Sequence, residues 1–385
     1  MDISPRVGDP WGMKIPPFAL ERYFARYEFA VRHLLCASDV EGWSMADLLA
    51  LADDETRGLW DGLTLGYTEA PGHPLLRAEI ASLYESIATD GVLTFSGAEE
   101  AIFTAANVLL GSGDHAIVTW PAYQSLHEVA RATGADVTLH ELHASDGWAN
   151  DVDRLRASVT PRTRLIVVNA PHNPTGMLPD AATWAAVSDI AADAGAILFS
   201  DEVYRFLERD PATRLTAGAD VGAHGVSLGV MSKSFSMAGL RIGWLASQDR
   251  TFLDACARFK DYLTICSSAP SEILALIALR ARDQVLARSR TIVDGNLALA
   301  DGLFERQAAH LRWVRPAGGP IGFPELLADV PIEAFAQNLL EAEGVLLAPG
   351  PLFGHPGNHF RLGLGRSGMA SGLERLEAYL ERTLR

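Results

Sequence analysis

At 385 residues, with 48% hydrophobic and 21% charged side chains, the chain is too long for one small core and too ordinary in composition to be disordered. Acidic residues outnumber basic ones 48 to 32, a formal net charge of -16, and no Lys/Arg cluster interrupts the excess, which argues against a nucleic-acid binder and for small-molecule partners. The three cysteines, Cys36, Cys256 and Cys266, form no CxxC pair and fit a reducing, cytoplasmic setting; residues 1–14 lack the basic-then-apolar order of a leader, and no stretch approaches the roughly 18–20 apolar residues of a membrane span.

Residues 1–45 read as irregular, then helical through PFALERYFARYEFAVRHLL, where Phe18, Phe24 and Tyr27 recur at helical spacing and read best as core. From about 90 to 245 the pattern changes. Seven short apolar runs, at 91–97, 115–120, 136–142, 163–170, 195–201, 225–231 and 241–247, alternate with Ala-rich segments such as AATWAAVSDIAADAG. Near-continuous apolar strands between helices imply a mostly parallel sheet covered on both faces. Residues 270–310 read as one long helix, followed by short strands in GVLLAPG and HFRLGLG and a terminal helix SGLERLEAYLERTLR. The expectation is an α/β fold. A large domain, 46–280, holds a mostly parallel seven-stranded sheet sandwiched by helices. A smaller α+β domain comes from both chain ends, 1–45 and 281–385.

Ligands of such sheets bind beyond the carboxyl ends of the strands, and the polar motifs fall there. SGAEEAI (96–102) follows a strand and opens a helix, so backbone N–H groups near Gly97 can hold an anion; Ser96 alone could equally be a helix cap. In NAPHNPTG (169–176), Asn173 either shapes a turn or donates to a ligand oxygen. In FSDEVYRF (199–206), Asp201 ends a buried strand, where a carboxylate is costly unless paired. It either joins a structural ion pair or faces a cationic ring nitrogen, with Tyr204 in the same cleft. In VMSKSFSMAGLRIG (230–243), Lys233 has only Arg241 as a charged companion. A shielded amine near a cation has a lowered pKa and can bond an aldehyde as a Schiff base. A carboxylate beside it would spoil that nucleophilicity, and none is local. Arg241 suits an anion such as phosphate. A surface-loop lysine is the plainer reading of Lys233 taken alone. His127 and His172 read as structural, and no His/Cys/Asp set has metal-ligand spacing.

Together SGAEEAI, NAPHNPTG, SDEVY and SKSFSMAGLRIG, in this order, resemble the class I/II pyridoxal-phosphate aminotransferases of fold type I, over about residues 60–366. The resemblance implies pyridoxal 5'-phosphate as cofactor and a homodimer with shared sites. It makes Lys233 the Schiff-base lysine and proton shuttle, and Asp201 the partner that keeps the ring nitrogen protonated. Tyr204 and Asn173 would bond the ring's phenolic oxygen, and Tyr123 would stack on the ring. Gly97, Ala98, Glu99 (through its backbone), Ser232 and Arg241 would hold the phosphate. Tyr67 would reach the phosphate of the neighbouring subunit. Arg361 would grip the substrate α-carboxylate, beside Asn173, whereas Arg366 reads as structural.

Two departures stand out. Val230 replaces a serine common three residues before the lysine, a loss Ser232 can compensate. The segment LLCASDVEGWSM (34–45) lacks the usual Gly-Glu-Pro-type loop. With FKDYLTICSSAP (259–270) it looks more like the branch containing capreomycidine synthase, where the same cofactor supports elimination and ring closure. The expected activity is therefore transamination between an L-amino acid and a 2-oxo acid, with a lyase or cyclase as the alternative on the same scaffold. A non-catalytic regulator would need a basic DNA-binding module, which the acidic chain does not offer. Trp43 and Phe18 are candidates for an apolar pocket wall or for core. The sequence names no amino donor.

Overall fold

The computed structural model describes residues 15–384. Residues 1–14, counted above with the small domain and read there as lacking a leader, and residue 385 lie outside the described residues.

Each of the seven apolar runs contains one strand: β1 (Val92–Phe95), β2 (His115–Trp120), β3 (Asp136–Glu141), β4 (Thr163–Asn169), β5 (Ile197–Asp201), β6 (Gly225–Val230) and β7 (Gly243–Ser247). They form one sheet in the order β1-β7-β6-β5-β4-β2-β3. Strand β7 is antiparallel to both neighbours and the remaining pairs are parallel. The runs are apolar throughout because both faces are covered. On one face Ala116, Val118, Leu165, Val167 and Phe199 pack on Ala101, Ile102 and Ala105 of the helix Ala98–Leu109. On the other, Ile117, Ile166, Val168 and Leu198 pack on Trp184, Val187, Ile190 and Ala191 of the helix Ala181–Asp193. That helix begins where Asp180 Oδ1 accepts from Thr183 N at 2.7 Å, a cap of about 1 kcal/mol.

The topology fixes one functional edge. The carboxyl ends of β1, β2, β4, β5 and β6 point the same way. Because β7 runs antiparallel, its amino end, just after Arg241, joins them.

Two sequence expectations change. The first helix spans only Ala19–Tyr27, not the whole of residues 17–35. The chain then turns extended, because His33–Leu34 pair in parallel with Val345–Leu346. Leu35 and Val40 continue into a core made by Val293, Leu297, Phe335 and Leu376, so a helix there would forfeit both sheet pairing and burial. The long segment after residue 270 is two helices, Ala269–Arg280 and Arg282–Arg306, broken at Ala281 with ψ of 20°. Every residue from Ile273 to Leu279 is buried, whereas the second helix buries a stripe through Val285, Ser289, Val293, Asn296, Ala300 and Leu303. The break lets the chain leave the interior of one core and lie along another. Among the described residues no helix is long and apolar enough to cross a membrane.

Candidate active site

The sheet edge supplies the floor of a cavity of about 620 Å³. Strands β4 and β5 end in register, Asn169 opposite Asp201. Asn169 Nδ2 donates to the Asp201 carbonyl at 2.8 Å, and its Oδ1 accepts from Asn173 N at 2.6 Å. Asn169 thus pins the 170–173 turn to the sheet. Sequence reasoning singled out Asn173 and missed Asn169; the available signal was an amide closing the apolar run TRLIVVN. Asp201 is 4% exposed and has no ion-pair partner among the described residues. Burial pushes its carboxyl up to about 7, against a 3.3 Å bond from Val203 N and the charge of Lys233. The Tyr204 hydroxyl is fully buried beside Ser38 and completes no well-formed hydrogen bond among the described residues.

The anion end lies between β1 and β7. Gly97 has φ of +96° and precedes a helix whose first turn has no side-chain cap. A Cβ on Gly97 would collide with the Arg241 guanidinium, and one on Gly243 would come within 2.7 Å of the Gly97 carbonyl carbon. These two glycines let a helix N-terminus, a strand and a guanidinium converge. Arg241, at φ of +52°, donates to Ser232 Oγ at 3.3 Å and the Ala238 carbonyl at 3.2 Å. Ala98 and Val230 line the cavity here. The Glu99 carboxylate turns to Ser125 Oγ at 2.6 Å, leaving the helix-start N–H groups free of its charge.

Lys233, in the β6–β7 connection, donates from Nζ to Ser38 Oγ at 2.8 Å. Burial holds its amine below the usual lysine range, with Arg361 adding to the shift and Asp39, Glu21 and Asp201 opposing it. The expectation that no carboxylate stands near Lys233 holds along the chain only. The fold brings Asp39 in from the 34–45 segment. Arg366 pairs with Asp39 at 2.9 Å and so moderates that charge. Arg361, on the strand Phe360–Gly363, is 1% exposed. Its Nε and Nη2 donate to the Cys36 carbonyl at 3.1 and 2.8 Å, and Nη1 to Asn173 Oδ1 at 3.2 Å. Phe353 and Phe24 sit against its guanidinium, with ring centres 5.0 and 5.7 Å away.

The N-terminal helix closes the cavity. Glu21, Phe24 and Glu28 follow at helical spacing and all face it. Tyr123 donates to Glu21 Oε1 at 3.1 Å and packs on Phe18 with ring centres 5.0 Å apart. Phe18 is therefore a wall residue, whereas Trp43 lies outside the cavity and covers Arg288. Tyr67 is 91% exposed and does not reach the cavity of its own chain. Ser38, Asp39, Glu21 and Glu28 are lining residues that sequence reasoning missed; they reach the site only through tertiary contacts. His172, buried and bonded through Nδ1 to Thr175 Oγ1 at 2.8 Å, is held neutral by burial, its pKa lowered to about 4.

The cavity has the donors for a flat ring with a cationic nitrogen and an anionic tail. Its lining brings together the buried carboxylate of Asp201, Arg241 beside an uncapped helix start, the buried Tyr204 hydroxyl and the Lys233 amine. Pyridoxal phosphate fits that donor set.

The family model described as aminotransferase class I and II matches residues 41–376. Capreomycidine synthase from Streptomyces vinaceus is 30% identical over 343 residues, 88% of this chain and 87% of that one. Arginine–pyruvate transaminase from Pseudomonas aeruginosa is 31% identical over 316 residues, 77% of each chain. Among solved structures, a PLP-dependent aminotransferase from Streptococcus suis has a TM-score of 0.91 at 29% identity, covering 97% of this chain and 100% of that one. A PLP-dependent cyclase has a TM-score of 0.87 at 31% identity, covering 95% and 97%. The chain belongs to the class I and II aminotransferase family, with the fold type I architecture, and is an enzyme that uses pyridoxal phosphate.

Proposed function

We propose that this enzyme is an aminotransferase that moves an amino group between an L-amino acid and a 2-oxo acid. The observation that carries the reading is the placement of Lys233. Its amine, held below its ordinary pKa by burial, shares one cavity with Asp201 and stands 2.8 Å from Ser38 Oγ.

Pyridoxal phosphate, when bound, supplies an aldehyde for an amine to bond and a ring that takes up electrons from the substrate Cα. Lys233 would hold the group through that aldehyde, and its amine, once free, would take the substrate Cα proton and deliver it to the carbon that carried the aldehyde. Asp201 would keep a proton on the ring nitrogen, and a cation facing it would bring its own pKa back down. Asn173 has its Oδ1 occupied by Arg361, which leaves Nδ2 to donate alongside Tyr204. Tyr123 would be the ring's aromatic neighbour. The backbone of residues 97–99, with Ser232 and Arg241, would hold the phosphate. Arg361, fixed by Cys36 and Asn173, receives the substrate carboxylate.

The exposure of Tyr67 supports a homodimer in which that ring enters the neighbouring site. Leu65 and Tyr262 are also 88% and 91% exposed, and Lys260 Nζ ties their two segments through the Ala70 carbonyl at 2.7 Å. A second copy would cover that surface.

A second reading, elimination or ring closure on an amino acid, is favoured by the 34–45 segment. It adds Ser38 and Asp39 to the proton-handling groups, and a capreomycidine synthase and a cyclase stand among the relatives. The test supplies the loaded enzyme with single L-amino acids and no 2-oxo acid, and follows products by mass spectrometry. Consumption that halts after a single turnover and resumes on adding a 2-oxo acid supports transamination. Continuous release of ammonia or a cyclised product selects the second reading.

A further inference from the structure

We propose that the substrate's side chain ends in a cation, a guanidinium or an ammonium, and that Glu28 receives it. The inference rests on the reading above that the cavity takes an amino acid.

The cavity wall opposite the sheet edge is built by residues 18–39 and carries three carboxylates, Glu21, Glu28 and Asp39. Two have protein partners. Asp39 pairs with Arg366 at 2.9 Å, and Glu21 accepts from Tyr123 at 3.1 Å. Glu28 is half-buried at the end of the Ala19–Tyr27 helix, and its carboxylate has no hydrogen-bond or ion-pair partner among the described residues. Burial, then the negative charges of Asp39 and Glu21, push its carboxyl above the usual range, with Arg366 and Lys233 opposing. A negative field so placed is relieved by a mobile cation. The cations of the cavity proper are otherwise engaged. Lys233 bonds Ser38, Arg241 bonds Ser232, and Arg22 is exposed at the mouth on the same helix.

A further feature points to a ligand rather than a solvated acidic face. The rings of Phe18, Phe24 and Tyr123 line the same wall, giving an apolar path for methylenes and π-faces for a cationic head. Arg361 touches the lining residue Asn173, and Glu28 lines the same cavity, so the cavity offers a cation for a carboxylate head and a carboxylate for a cationic tail.

The test uses two matched pairs that differ in side-chain charge: L-arginine against L-citrulline, and L-lysine against L-norleucine. With the loaded enzyme, dissociation constants come from spectral titration, and Cα–H exchange in deuterium oxide from NMR. The charged member of at least one pair should be preferred by about 10- to 100-fold, the span expected when a hydrogen bond to a charged group is made or lost. In Glu28→Gln the charged-to-neutral ratio should collapse toward unity, and Glu28→Asp should restore part of it. The ratio cancels any general loss of activity. Equal binding of both members of both pairs, or a ratio that survives Glu28→Gln, overturns the inference. Exchange with no amino acid at all would instead overturn the proposed function, while the titration ratio would still judge Glu28.

Discussion

The two walls of the cavity have different origins. On the sheet edge, Asn169 and Asp201 close β4 and β5, Gly97 follows β1, and Lys233 follows β6, each within a few residues of a hydrogen-bonded ladder. The opposite wall is a helix and a loop held by a few long-range ties. These are Tyr23 Oη to the Leu347 carbonyl at 2.8 Å, Ala19 N to Gln124 Oε1 at 2.8 Å, and Asp39 to Arg366. The first wall lies inside the family match and the second before it. Chemistry common to a family needs donors fixed to a fraction of an ångström, which a sheet provides. Choice of substrate needs a surface that can change without disturbing the sheet, which a tethered segment provides.

If that division is right, changes on the sheet edge should remove chemistry and changes on the tethered wall should redirect or dampen it. Lys233→Ala is the severest case. Turnover should fall by about 10⁴-fold or more, since both nucleophile and base are lost, while circular dichroism stays native. Residual turnover close to wild type would break the assignment.

Asp201→Asn should cost about 10²- to 10³-fold in turnover, as loss of a preorganised charge at a reacting ring does. It also has a stability signature. In the cofactor-free protein Asp201 keeps its proton up to about pH 7, whereas an unfolded chain releases it near 3.8. The folded state binds more protons across that window, so stability falls as pH rises through it, by on the order of 2–4 kcal/mol. Asp201→Asn should therefore melt higher than wild type above neutrality without cofactor. The advantage should shrink below the window, where wild-type Asp201 is protonated in both states. A melt that is flat with pH in both proteins would remove the buried-carboxylate argument.

Gly97→Ala is smaller and confined to the anion end. Its methyl meets Arg241 in a backbone conformation at φ of +96°. Strain of about 1–3 kcal/mol should weaken cofactor retention by roughly 10- to 100-fold. Equilibrium dialysis reads the loss, and unchanged retention would place the phosphate elsewhere.

Ser38→Ala, on the tethered wall, should have the mildest effect, about 3- to 10-fold on turnover, because one hydrogen bond to Lys233 is lost while the ladder is untouched. An effect as large as that of Asp201→Asn would mean the loop takes part in the chemistry, and would favour the elimination reading.

The sequence by itself determined the sheet and the first wall. The seven strands announce themselves because both faces are buried, which leaves apolar runs with little polar interruption. Asp201, Asn173, Lys233 and Gly97 are legible because a polar or glycine residue at the end of such a run has a reason to be there. The antiparallel setting of β7 was not legible, since strand direction depends on how the 231–242 connection folds back rather than on side-chain pattern. Tertiary structure alone decided the second wall. Glu21, Glu28, Ser38 and Asp39 sit in segments that look like ordinary helix and loop, and Lys233 finds Ser38 across 195 residues of sequence. It also decided that the helix after residue 16 ends at Tyr27 and that the long helix breaks at Ala281. In both places burial against distant residues outweighs local helical preference. Local patterning records what a segment buries, and contacts between segments far apart in the chain record what the buried segments build.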